Sequence, residues 1–172
     1  AIDAAVAVGF ALAVTSSGNG NLGGGGFLVA AMKNGDRFTI DHREKAPKKS
    51  GKAMYLDDEG NIVDGMSLYS RASSGVPGTV DGLLKALNDH GSGVISRQQI
   101  LAPAIRLAGR GFKLSHYEAE RFNAYKEFFE RNKAAKRIFI KKDNTPWKKG
   151  DLFKQKDLEK NLKLISKHGR SG

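Results

Sequence analysis

The chain opens on Ile2–Thr15, a segment apolar on all faces and rich in alanine. That pattern predicts a helix buried between layers rather than an amphipathic surface helix. Its unbroken apolar stretch, Ala4–Val14, is about half of the ~20 residues a membrane-spanning helix needs, so a core helix and no membrane segment are expected. A polar, glycine-rich run follows from Ser16 to Gly26. Phe27–Lys33 and Asp36–Asp41 then flank Asn34-Gly35, the pair best able to take the positive φ angles of a two-residue turn, which predicts a β-hairpin. Glu59-Gly60-Asn61 separates Met54–Leu56 from Ile62-Val63 and predicts a shorter extended pair.

Beyond Pro77 the period changes from two to helical. Leu83, Leu84 and Leu87 share a face of a helix beginning near Thr79, and Gly91 is its stop signal. Ser96 with Gln99, and Ser115 with Glu118, have the spacing of capping boxes, in which a hydroxyl and a carboxylate or amide exchange hydrogen bonds with free helix-start N–H groups. The first opens a helix over Ile100–Leu107, where Pro103 lacks an N–H and would kink or reset it. The second opens a long helix to about Lys133, with Tyr117, Phe122, Tyr125, Phe128 and Phe129 as a core-facing stripe. Arg137–Ile140 reads as a short strand and Asn144–Trp147 as a turn. A last helix, capped by Asp157, carries Leu158, Leu162 and Ile165 inward and ends at Gly169. Strands followed by helices, without regular alternation or an internal repeat, argue for a layered α+β architecture over a doubly wound parallel sheet.

Composition bounds the chemistry. With 172 residues, 40% of them hydrophobic, the chain can bury a core of its own. There is no cysteine, which excludes disulfides, thiolate metal sites and thiol nucleophiles and suits a periplasmic or secreted protein. No initiator Met or leader precedes Ala1, and only three residues follow Gly169, so both ends are expected to be cut. The net charge of +11 is uneven: residues 1–96 hold nine Lys/Arg and ten Asp/Glu, residues 97–172 twenty and eight. Lys and Glu interleave along the helical stretches there and no nucleic-acid motif accompanies them, which favours a solvated helical surface. A basic module binding nucleic acid or an anionic surface stays open as the alternative.

Gly18-x-Gly20-x-x-Gly23, with Asp41 downstream, matches a dinucleotide fingerprint. The fingerprint requires a strand before it and a helix opening within it, and neither is predicted here. A tight crossing where no side chain fits is the simpler reading of Gly23, Gly24, Gly25 and Gly26, and such a crossing also suits close approach of backbone to a ligand. His42, His90, His116 and His168 are scattered with no ligand-like spacing, so no metal site is expected. No Gly-x-Ser-x-Gly elbow is present and no catalytic triad can be assembled. Arg43, in Asp41-His42-Arg43-Glu44, sits at the end of a predicted strand. Its planar fork can grip a carboxylate by two parallel hydrogen bonds, or it can form a surface ion pair with Asp41 or Glu44.

The order of several short segments resembles the gamma-glutamyltranspeptidase family. They are Ala1–Ala7, Gly20–Phe27, Asp41–Pro47, Gly75–Gly78, Leu101–Ala108 with Gly111-Phe112, and Asp157-Leu158 with Ile165–Gly169. The chain departs from the family at His42, where an apolar or small residue is common, and over Tyr117–Lys142. The resemblance implies one partial domain over residues 1–172, the front of the large subunit of an N-terminal-nucleophile hydrolase whose fold is an αββα four-layer sandwich. It also implies a precursor that cuts itself into a heterodimer of large and small subunits. The new N-terminal threonine of the small subunit attacks the gamma-glutamyl amide of glutathione or a related donor, with no cofactor, and water or an amino acid takes the glutamyl group. On this resemblance Arg43 holds the donor α-carboxylate, Gly23–Gly26 lie beside the site, and no catalytic residue lies in this chain. A catalytically inactive scaffold of the same fold remains the other expectation.

Overall fold

In the computed structural model, which describes residues 1–171, helix α1 spans Ile2–Thr15. Ile2, Val6, Phe10 and Val14 recur every four residues and form its buried face. The expectation of burial on all faces is corrected: Ala4, Ala5, Val8 and Leu12 are exposed on the far side, because within this chain only one layer covers the helix. Strands β1 (Phe27–Ala31) and β2 (Arg37–Asp41) pair antiparallel, Phe27 opposite Asp41 and Ala31 opposite Arg37. Leu28, Ala30, Met32, Phe38 and Ile40 join the core, whereas Phe27 and Val29 point outward, 65% and 80% exposed. A half-buried antiparallel sheet ordinarily alternates apolar with polar; here β2 does so, with Arg37, Thr39 and Asp41 outward, while β1 leaves Phe27 and Val29 open on the same face.

Its turn differs from the two-residue one predicted. Met32 N–H donates to Asp36 C=O at 2.8 Å and Gly35 N–H to Met32 C=O at 3.0 Å, so three residues form the loop. Only Gly35 has positive φ, at 93°, the arrangement of a type I turn followed by one left-handed residue. Asn34 instead spends its side chain on Asp36, accepting from its N–H and donating to its carboxylate. The second extended pair is a single bridge, Leu56 to Ile62. A one-turn helix α2 (Met66–Tyr69) precedes α3 (Thr79–His90), whose His90 ring stacks on Phe38 with centroids 3.6 Å apart.

Helix α4 (Arg97–Arg110) carries the expected capping box of Ser96 and Gln99 and runs through Pro103 without a break. Its Ile100, Leu101, Ala104 and Ala108 pack on α1. Gly111 then turns the chain, at φ 91°, into the two-residue strand β3 (Phe112–Lys113). The Ser115–Glu118 capping box opens α5 (His116–Ala124), but the long helix predicted to Lys133 is broken. Tyr125 and Asn132 divide it into α5, α6 (Lys126–Glu130) and α7 (Lys133–Phe139). Asn132 caps α7 by accepting from the N–H groups of Ala134 and Ala135, and the strand predicted over Arg137–Ile140 is replaced by helix as far as Phe139, with only Ile140 extended. The breaks let rings from separate elements converge: Phe122, buried, meets Phe129, Phe139, Trp147 and Phe153 at 5.0–6.4 Å between centroids. Of the predicted aromatic stripe only Phe122 and Phe129 join this second core; Tyr117, Tyr125 and Phe128 are exposed.

Strand β4 (Leu152–Phe153) pairs with β3, and α8 (Lys156–His168) closes the first core with Leu162 and Ile165. Asp157 is not its cap, since it lies inside the first turn and pairs with Arg137 at 2.6 Å. Two stability predictions follow from these contacts. Phe122→Ala should cost about 3–5 kcal/mol by emptying the centre of the aromatic cluster, whereas Tyr117→Ala should stay within about 0.5 kcal/mol. Equal shifts in the urea midpoint would refute that ranking. Separately, the buried carboxylate of Asp3 accepts from the hydroxyl and the N–H of Ser92. These bonds hold its pKa below the usual carboxylate range, so the stability they contribute is present at neutral pH and is lost as pH falls through the lowered pKa. Ser92→Ala should move the acid-unfolding midpoint, followed by circular dichroism, to higher pH.

Candidate functional site

Three segments far apart in sequence meet at the end of β2. Gly26 and His42 exchange backbone hydrogen bonds at 3.0 and 3.3 Å, lengthening the hairpin ladder by one pair. Lys45 and Val76 exchange another two, at 3.1 and 2.7 Å. The carbonyl of Gly24 accepts from both Gly78 N–H and Thr79 N–H, at 2.9 and 3.1 Å. Helix α3 therefore starts without a side-chain cap, because a loop carbonyl satisfies N–H groups that a helix start leaves unpaired.

Glycine is required where these backbones cross. A Cβ on Gly25 would lie 2.7 Å from the His42 carbonyl oxygen, and one on Gly78 would overlap that same oxygen and sit 2.8 Å from its carbon. A Cβ on Gly26 would meet His42 Cε1 at 2.9 Å. The tight-crossing reading holds at Gly25 and Gly26. It does not extend to Gly23 and Gly24, whose added Cβ would meet only the Asn21 side chain, at 3.3 and 3.2 Å.

Arg43 extends from this knot. Its N–H donates to Asp41 Oδ1 at 3.0 Å, so the Asp41 carboxylate fixes the backbone at the strand end. The guanidinium reaches Glu44 only at 3.8 Å, with the two side chains 66% and 40% exposed. An exposed pair of this kind contributes ~0–1 kcal/mol, which leaves the fork free to take a better partner. By the alternation along β2, Arg43 falls on the side of Thr39 and Asp41, the open face of the hairpin, and His42 on the core side. A cavity of about 200 Å³ beside it is lined by Lys45, Asp81 and Lys85 as well.

The other candidates fall elsewhere. Gly18-x-Gly20-x-x-Gly23 follows a helix and precedes a hairpin, so the context of a dinucleotide fingerprint is absent. The space a Cβ on Gly18 would need is filled by the Arg121 guanidinium, 2.6 Å away. A cavity of about 530 Å³ over Arg121, Tyr117 and Phe122 shares no lining residue with the Arg43 cavity. Among the described residues no three His, Asp or Glu side chains converge as metal ligands, and no helix is long and apolar enough to cross a membrane. In the basic back half, several Lys and Arg pair with interleaved carboxylates, Lys141 with Asp151 and Lys156 and Lys163 with Glu159. Two glycines face the strand end, Gly78 just before α3 and Gly82 within it; the first is legible in the sequence only as part of the Gly75–Gly78 segment and the second escapes sequence reasoning, since the residues that exclude a side chain there lie some forty positions earlier.

The gamma-glutamyltranspeptidase family profile matches residues 1–172. The glutathione hydrolase proenzyme of Escherichia coli (strain K12) is 44% identical over 170 residues, covering 98% of this chain and 29% of that protein. The proenzyme of the same name from Pseudomonas sp. (strain A14) is 41% identical over 172 residues, covering all of this chain and 30% of that protein. Among solved structures, the gamma-glutamyltranspeptidase of Helicobacter pylori superposes with a TM-score of 0.93 at 44% identity, over 98% of this chain and 48% of that one. The chain thus spans about 30% of the length of these curated relatives, and over that span its α+β arrangement is theirs. A match running through every segment described above, in sequence and in three dimensions, establishes that this chain belongs to the gamma-glutamyltranspeptidase family.

Proposed function

We propose that this chain is the front part of the large subunit of an enzyme that cleaves gamma-glutamyl amides such as glutathione, and that it supplies the donor-binding arginine, Arg43. The observation that carries the proposal is the placement of Arg43: a guanidinium with only a long, exposed contact to Glu44, anchored at the end of a strand on the open face of the hairpin. Proteins at 41% and 44% identity bear the name glutathione hydrolase proenzyme, which supports both the donor class and a precursor that is processed.

In this reading the donor α-carboxylate lies against Arg43, which turns the gamma carbonyl toward a nucleophile from another part of the protein. Thr15, Thr39, Thr79 and Thr145 are all internal, so none has the free α-amine that would activate a terminal threonine hydroxyl. The nucleophile is the N-terminal threonine of a small subunit made by self-cleavage. Its hydroxyl adds to the gamma carbonyl as its own amine accepts the proton, and the amine of the donor leaves protonated. The resulting glutamyl ester passes to water or to an amino acid. Phe27 and Val29, and Val8 and Leu12 of α1, all exposed in this chain, are then covered by the second sheet and the remaining helices of an αββα sandwich. The test is direct: the complete protein should self-cleave and release glutamate from glutathione, and residues 1–172 alone should not. A complete protein that self-cleaves yet turns over no gamma-glutamyl amide would leave the inactive-scaffold reading in its place.

A further inference from the structure

The imidazole of His42 occupies a slot with a glycine on each side. A Cβ on Gly82 of α3 would lie 2.5 Å from His42 Cδ2 and overlap its Cβ and Cγ; a Cβ on Gly26 would lie 2.9 Å from Cε1. Both positions have ordinary backbone angles, since neither shows a left-handed φ, so the glycines are there for the ring and not for a turn. The ring itself gains no hydrogen bond at Nδ1, which is buried without a partner. A buried polar atom left unpaired is costly, and a side chain used for its nitrogen chemistry would ordinarily have that nitrogen satisfied. What His42 contributes here is shape.

That shape bears on Arg43. The main chain of His42 is held by Gly26 on one side, through paired hydrogen bonds, and its carbonyl is wedged against Gly25 and Gly78. On the core side of the strand end the ring stands against Gly82 of α3, so it helps to set how far the start of α3 stands from the strand. From this geometry we infer that His42 is a positioning residue: by filling the slot between Gly26 and Gly82 it fixes the strand end from which the Arg43 guanidinium reaches the donor carboxylate. The inference rests on the donor-binding role proposed for Arg43. It assigns His42 no proton transfer and no contact with the donor.

The test uses the complete, self-cleaved protein and a gamma-glutamyl anilide as donor. His42→Ala empties the slot and should raise the donor KM about tenfold while kcat changes less than about threefold. His42→Phe keeps a flat ring of similar size without nitrogen and should bring KM back to within about threefold of the natural protein. Gly26→Ala, which presses on the ring from the opposite wall by a few tenths of an ångström, should raise KM several-fold and keeps the question answerable if His42→Ala fails to fold. An unchanged KM in His42→Ala, set beside a raised KM in Arg43→Ala, would overturn the inference and leave the donor-binding reading intact. A His42→Phe protein as impaired as His42→Ala would overturn it too, because the nitrogen and not the shape would then matter. If Arg43→Ala itself leaves KM unchanged, the failure belongs to the donor-binding reading.

Discussion

Arg43→Ala in the complete protein should lower kcat/KM for a gamma-glutamyl donor by about a hundredfold, carried mainly by KM, with self-cleavage unimpaired. The size comes from the two hydrogen bonds an arginine fork makes to a carboxylate. Each hydrogen bond to a charged group contributes about 1.5–3 kcal/mol, and every 1.4 kcal/mol is tenfold; solvent competition at a side chain 66% exposed pulls the pair toward the lower end. Loss of Glu44 as a partner is negligible beside this, since a 3.8 Å contact in water is nearly worthless. Arg43→Lys keeps the charge but not the planar fork and should lose about tenfold. The assignment can be checked from the donor side. A 4-aminobutyryl amide is the same donor without its α-carboxylate, so the natural protein should reject it by about the factor that Arg43→Ala loses. The variant should no longer distinguish the two amides. Equal discrimination by both proteins would remove Arg43 from the carboxylate site.

How much of this was legible in the sequence depended on the range of the interactions. Local signals were reliable: both capping boxes formed as spaced, because the groups that bond lie within four residues of one another. The hairpin was legible from Asn34-Gly35, yet the turn gained a residue, since Asn34 found Asp36 as a partner and left the left-handed position to Gly35 alone. The segment from Tyr117 to Ile140 failed as a prediction for the opposite reason. Its helical period was read as one continuous face, whereas the packing of Phe122 against Trp147 and Phe153 needs the chain to turn twice. Position alone showed Arg43 as an arginine at a strand end, and the resemblance of the flanking segments supplied its expected role; what makes it available, a distant Glu44 carboxylate and an Asp41 committed to backbone, is geometry. Strands β3 and β4 are two residues each, too short to carry a period at all.

The crossing beneath Arg43 sets the second large expectation, at Gly78. Its φ of −114° and ψ of −12° are open to any residue, so alanine there adds no backbone strain and its whole cost is the collision with His42. The Cβ would overlap the His42 carbonyl oxygen and lie 2.8 Å from the carbonyl carbon and 3.3 Å from the oxygen of Arg43. All three atoms are backbone, so no side chain can swing away, and relief requires α3 and the strand end to part. That movement pulls on the bonds from Gly78 and Thr79 to Gly24 and on the pair between Lys45 and Val76. Overpacking by one methyl costs about 1–3 kcal/mol, and one weakened backbone bond adds about 1 kcal/mol, giving about 3 kcal/mol against a typical total of about 5–15 kcal/mol. Gly78→Ala should therefore lower the yield of self-cleaved protein and its Tm by several degrees, and the molecules that do mature should bind the donor more weakly because Arg43 has moved with the strand. Gly35→Ala is the control for ordinary glycine loss: its added Cβ would meet nothing within 4 Å, so it bears only the strain of its positive φ and should leave donor KM unchanged. If Gly78→Ala mimics that control, stable but slightly weakened and with normal KM, the three segments do not form the rigid support for Arg43 that their contacts imply.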